Sequence, residues 1–193
     1  PGTGPDAAAA PPARIRMGVS DLPQVPDGLR WPVVLGIDPG TLVVGYGAVV
    51  QRPEGPALLA AGALRASRSA AVPTRLGHLR QELDLLMERL RPPTVVVEHA
   101  YTAVNVQSAL RVGEGRGVAL SCAACRGAEV VQYQASQAKK ALAGQGSADK
   151  ERVARMVAAE LGLERAPEPL DASDALALAL TYVHRSRFER AAR

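Results

Sequence analysis

The apolar residues of this chain first change their spacing near Thr74, and that change limits the possible folds more than any other feature. Residues 33 to 37 form a short apolar run closed by Asp38-Pro39-Gly40-Thr41, and residues 43 to 50 resume with β-branched side chains. Two such runs across a Pro-Gly turn predict a β-hairpin. Residues 58 to 64, after Pro53-Glu54-Gly55-Pro56, supply a third strand. From Thr74 the period switches. Leu76, Leu79, Leu83, Leu86 and Leu90 recur at intervals of three and four, the stripe of an amphipathic helix, and Pro92-Pro93 ends it. Residues 95 to 97 then read as a strand running into Glu98, 106 to 126 as a helix and 130 to 133 as a fifth strand. Further helices are expected over 138 to 142, 149 to 161 and 174 to 187, the second capped by Ser147.

Three consecutive strands followed by alternating helices and strands predict an α/β fold with a mixed five-stranded sheet. Its first part is antiparallel, the rest parallel, with helices on both faces. Such a sheet gathers functional groups at the carboxyl ends of its parallel strands. Asp38 and Glu98 each follow an apolar strand directly, at that end.

A chain of 193 residues suits one domain, here residues 31 to 190. Residues 1 to 30 hold six of the fifteen prolines, a four-alanine run and no apolar periodicity. They are expected to form a disordered extension, with Met17 as a candidate start. Every long apolar run is broken by charge or glycine, which excludes a membrane-spanning helix, and no secretory signal is legible, so a cytoplasmic protein is expected. The net charge of +4 favours a polyanionic partner. The basic residues fall in separate groups: Arg111 and Arg116, Lys139 and Lys140, Lys150 with Arg152 and Arg155, and a last group from Arg185 to the end. Taken singly, each group also reads as a solvated helix face. Cys122 and Cys125 form one CxxC inside a run of small residues, predicted as buried thiols rather than half a zinc site.

Four acidic residues carry the chemistry. Asp38 alone reads as a turn residue or as a ligand. Glu98, ending a Val-Val-Val run, is costly there unless paired or bound to a cation. Asp171 and Asp174, three apart at a helix start, are either caps or a pair on one face. If that helix packs beside the first strand, the four converge, and two charges ~5 Å apart repel by roughly 3 kcal/mol at an effective dielectric near 20. Such a cluster calls for cations, and oxygen-only ligation suits Mg2+ or Mn2+. Two ions about 4 Å apart clamp an in-line phosphoryl displacement.

An ordered series of motifs supports this chemistry. Leu35-Gly36-Ile37-Asp38-Pro39-Gly40 is followed by Gly45-Tyr46-Gly47, Val97-Glu98, Asn105, Ser108-Ala109-Leu110 and Gly115-Arg116-Gly117. Gly144-Gln145-Gly146-Ser147-Ala148-Asp149-Lys150 and Asp171-Ala172-Ser173-Asp174-Ala175-Leu176-Ala177 complete it. Across residues 33 to 185 the series resembles the RuvC-type resolvases, RNase H-like endonucleases that cut four-way (Holliday) DNA junctions in homologous recombination and repair.

The resemblance implies that Asp38, Glu98, Asp171 and Asp174 are the catalytic and metal-binding carboxylates, holding two Mg2+ or Mn2+ ions. It implies DNA contacts for Tyr101 at the junction centre, for Lys139 and Lys150 near the scissile phosphate, and for Arg116. It further implies a homodimer that makes paired symmetric nicks leaving 5′-phosphate and 3′-hydroxyl ends, working beside a RuvA and RuvB branch-migration complex. The chain departs from the pattern at His99, Val104 and Ser136, where relatives often carry glutamine, a positive charge and arginine. An actin-like nucleotide-binding protein needs a second phosphate loop that this length leaves no room for. A junction-binding protein without nuclease activity is the other alternative, and retention of the carboxylates weighs against it.

Overall fold

A computed structural model of the chain describes residues 14–15, 25, 29–99 and 106–192. Among them β2 (Val33–Asp38) and β3 (Val43–Gln51) form the expected hairpin, with Gly36 opposite Gly47 and Asp38 opposite Gly45. β4 (Pro56–Arg65) pairs antiparallel with β3, and α1 (Val72–Leu90) returns the chain to the far end of the sheet. β5 (Thr94–Glu98) lies parallel to β2, and β6 (Glu129–Tyr133), reached through α2 (Val106–Cys125), lies parallel to β5. Helices α3 (Ala135–Ala143), α4 (Lys150–Glu160) and α5 (Leu170–Ala191) follow.

The five expected strands are present with their predicted polarity, and a two-residue strand, β1 (Arg14–Ile15), adds a sixth at the edge, in the order β1-β4-β3-β2-β5-β6. Neighbouring residues of a strand face opposite sides of a sheet. Leu35, Ile37, Val95 and Val97 accordingly join the α1 stripe of Leu79, Leu83, Leu86 and Leu90 in one core. Val34 and Val96 join Leu142, Val153, Leu176 and Leu180 from α3, α4 and α5 in the other. Burial on both faces explains why these strands read as unbroken valine runs.

Glycine decides how closely α5 approaches. A methyl group on Gly36 would stand 1.9 Å from the Ala175 carbonyl oxygen, and one on Gly45 would stand 2.2 Å from that of Asp171. The backbone of α5 therefore lies directly on β2 and β3.

Two expectations need correction. The cap of α4 is Asp149, whose carboxylate accepts from the Arg152 amide at 2.6 Å, and not Ser147, which lies in the preceding turn. A cap must stand three residues before the amide it receives, and only Asp149 does. Cys122 is buried, and burial pushes its thiol up to about 11, but Cys125 is exposed on the same helix. Within residues 1 to 30, three described positions touch the rest of the fold. Arg14 and Ile15 pair with Ala60 and Ala61. Val25 is buried, its amide donates to the Arg89 carbonyl at 3.0 Å, and the Arg91 guanidinium donates to the Val25 carbonyl at 3.0 Å. One valine between prolines shows no period, so its burial has no sequence signature. No helix among the described residues is long and apolar enough to cross a membrane.

Candidate active site

Ile37 of β2 is in register with Val97 of β5, so the next residues, Asp38 and Glu98, leave the sheet side by side. Their carboxyl groups hydrogen-bond to each other. Burial pushes the Asp38 carboxyl up to about 8, helped by that hydrogen bond and by the negative charges of Glu98 and Asp174, and opposed by Lys150. Near neutral pH Asp38 therefore keeps its proton, the usual outcome when a carboxyl is buried among like charges.

The third carboxylate comes from α5. Asp174 lines the same cavity of about 240 Å3 as Asp38, Glu98, Ala138, Lys139 and Lys150. The Lys150 ammonium donates to the Asp174 carboxylate at 2.6 Å. That bond raises the lysine's pKa; partial burial opposes the shift, and the charges of Asp174, Asp38 and Asp171 reinforce it. α4 begins at Lys150, one residue past its Asp149 cap, so the cap fixes where this ammonium can reach.

Of the eight site residues expected from the sequence, Asp38, Glu98, Asp174, Lys139 and Lys150 meet around this cavity. Asp171 precedes Asp174 by about one turn, against Gly45, and does not line it. Full convergence of four carboxylates is thus not observed, and among the described residues no three acidic, histidine or cysteine groups are placed to hold one ion. Two of the carboxylates are balanced within the chain: Asp38 by a proton, and Asp174 by the Lys150 ammonium. Arg116 donates to the Gln132 side chain and is not part of the cavity wall. His99 is half-buried and outside the wall, and Ser136 is exposed in the first turn of α3. Tyr101, Val104 and Asn105 lie outside the described residues.

The glycines that seat α5 are the functional positions that residue-by-residue reading missed. Glycine inside a strand signals close approach of another backbone, and Gly36, Gly45 and Gly47 carry that signal. The donors around the cavity are carboxylate oxygens carrying more negative charge than Lys139 and Lys150 offset, so that one of them takes up a proton. Such a set fits a hard divalent cation.

A mixed sheet of this topology, with acidic residues at the ends of its first and parallel strands and on the closing helix, defines a nuclease of the RNase H-like class. Residues 34–182 match the family described as Crossover junction endodeoxyribonuclease RuvC. The crossover junction endodeoxyribonuclease RuvC of Chloroflexus aggregans is 44% identical over 151 residues, 78% of this chain and 92% of that protein. The one from Alkaliphilus oremlandii is 37% identical over 156 residues, 81% of this chain and 95% of its own length. A solved structure of T. thermophilus RuvC in complex with Holliday junction substrate superposes with a TM-score of 0.76 at 37% identity, covering 82% of this chain and 96% of that one. The chain belongs to the RuvC family of crossover junction endodeoxyribonucleases.

Proposed function

We propose that this protein resolves four-way DNA junctions in homologous recombination and repair, by paired symmetric nicks in two strands of like polarity. The observation that carries the reading is the Asp38–Glu98 carboxyl pair, set by strand register at one end of the sheet and facing Asp174 across a cavity that also presents two lysines. Asp38, Glu98, Asp171 and Asp174 are the residues that would hold two Mg2+ or Mn2+ ions. When bound, such ions supply activation of water and neutralisation of the leaving oxygen.

The chain's own groups do the rest. Asp38 would hold a cation in its deprotonated form, and the α5 backbone, pressed on Gly36 and Gly45, fixes Asp174 and Asp171 relative to the strands. Lys139 and Lys150 offer positive charge to a phosphate entering the cavity. Tyr101 supplies an aromatic face for a base splayed at the junction centre, and Arg116 a phosphate contact.

Two active sites require two copies. The first turns of α2 present Val106 and Leu110 to solvent, 75% and 58% exposed, and this apolar surface supports a homodimer. RuvA and RuvB are the expected branch-migration partners, in the cytoplasm.

The test is incubation of a labelled four-way junction with the protein in Mg2+, in Mn2+ and in EDTA. Symmetric nicks resealable by ligase, in the metals only, are the expected result. Binding without nicking in either metal would leave a junction-binding protein, and cutting in EDTA would overturn the metal assignment.

A further inference from the structure

Glycines alternate in the middle of α2, at positions 113, 115 and 117. At about 3.6 residues per turn this spacing puts Gly113 and Gly117 on one face of the helix and Gly115 on the opposite face. The two faces have different surroundings. Gly115 is the first buried residue of α2, and a methyl group on it would stand 2.6 Å from the Gly40 carbonyl oxygen. Gly113 and Gly117 are exposed, and a methyl group on either would meet nothing within 4 Å.

The inner contact reaches the turn behind the active site. Gly40 follows Asp38 by two residues, in the connection from β2 to β3. A methyl group on Gly40 would itself stand 2.4 Å from the Val43 carbonyl oxygen, so this turn is tight. The backbone of α2 therefore rests on the backbone of the turn, with no side chain between them to absorb a shift.

The outer face is uncovered. Val106, Leu110, Gly113 and Gly117 recur at intervals of four, three and four, which makes one stripe, and all of them are exposed. The first nine residues of α2, 106 to 114, are exposed except for the half-buried Val112. So short a helical arm without packing is marginal in water, and glycine at 113 weakens it further. Within one copy no neighbour requires that Gly113 and Gly117 lack side chains. A second copy supplies the reason, because small residues four apart let two helices approach backbone to backbone, and a two-fold pairing sets the same apolar stripe against itself.

We propose that α2 couples subunit pairing to the metal site. A second copy seated on the stripe orders the arm, and the arm, through Gly115 on Gly40, holds the turn that carries Asp38. Only a bare helix backbone, about 5 Å across, separates the partner from that turn. This rests on the proposed homodimer and adds that pairing prepares both sites for their cations. Gly115 is a positioning residue and acts through Asp38.

Calorimetry with Mg2+ alone, on the full chain without DNA, tests it, with sedimentation to follow pairing. Leu110→Asp puts a charge into the apolar stripe and should leave folded monomers, since Leu110 is exposed. The paired parent should bind Mg2+ at least about fivefold more tightly than this variant. The added carboxylate by itself would act in the other direction, by attracting the cation. By reciprocity, Mg2+ should tighten the parental dimer at least about fivefold. Gly115→Val, on the face away from the partner, should still pair but bind Mg2+ no better than Leu110→Asp does. Equal Mg2+ affinity in the paired parent and Leu110→Asp, or parental affinity in paired Gly115→Val, would overturn the coupling and leave the homodimer standing. If Gly115→Val fails to fold, the Leu110→Asp comparison decides alone. Undiminished pairing of Leu110→Asp would remove the stripe from the interface and the inference with it. A parent that is monomeric at every concentration overturns both readings.

Discussion

The Lys150 ammonium stands 2.6 Å from Oδ2 of Asp174, so a cation that takes that oxygen would displace the lysine. Lysine and metal ion would thereby compete for one carboxylate oxygen, and a displaced lysine would be free to meet a phosphate. Lys150→Met should tighten Mg2+ binding several-fold by calorimetry and lower junction nicking by about a hundredfold, the loss typical when a charge-stabilising group is removed. Weaker metal binding together with weaker cutting would mean that Lys150 only supports the fold of the site.

The raised pKa of Asp38 makes stability fall with pH in the metal-free protein. Its folded value of about 8 lies above the ordinary carboxylate value of 3.8, so between the two the native state carries a proton that the unfolded chain has lost. The stability this contributes is fully present below pH ~4 and is lost as pH rises through ~8. Denaturant melts in EDTA from pH 5 to 9 should show that decline in the parent and a flatter profile in Asp38→Asn. Metal binding below pH 8 should release a proton, read from calorimetry in buffers of different ionisation enthalpy; no release, or parallel pH profiles, would contradict the shift.

Asp38→Asn also separates chemistry from folding. The side chain keeps its shape and loses one negative charge, so nicking should fall by several orders of magnitude while gel-shift affinity for the junction holds or rises. Near-parental nicking, or loss of folding along with cutting, would return Asp38 to the role of a turn residue.

Gly36→Ala tests the seating of α5. The added methyl meets the Ala175 carbonyl oxygen at 1.9 Å and must push the helix off the sheet. A stability loss of about 1–3 kcal/mol is expected, with a fall in nicking larger than the unfolded fraction accounts for, because Asp174 moves with the helix. Unchanged nicking in the folded variant would show that the carboxylate geometry tolerates the shift.

Val25 anchors a stretch whose composition promises nothing. Truncation to residue 31 should lower the melting temperature, and Val25→Ala alone should cost on the order of 1–2 kcal/mol through lost burial. Unchanged melts for both proteins would mean that the Arg89 and Arg91 contacts contribute nothing in solution.

Much of this molecule was legible in its sequence. The leucines at 79, 83, 86 and 90 are buried as their spacing requires, and Asp38 and Glu98 stand at strand ends because apolar runs stop there. The Asp149 cap was hidden by a nearer-looking serine, and the α3 start by glutamines: Gln134 and Gln137 cap it reciprocally, a role more often filled by serine or threonine with glutamate.

By itself the sequence determined which segments are strands and helices and which acids end them, because those properties depend on local periodicity and turn chemistry. Only the tertiary structure decided that Asp38 keeps its proton beside Glu98, that Lys150 takes Asp174, and that Asp171 does not line the cavity. Those outcomes depend on strand register, on the closeness that glycines allow to α5, and on electrostatic balance among residues up to 136 positions apart in the chain, and a local pattern carries none of these distances.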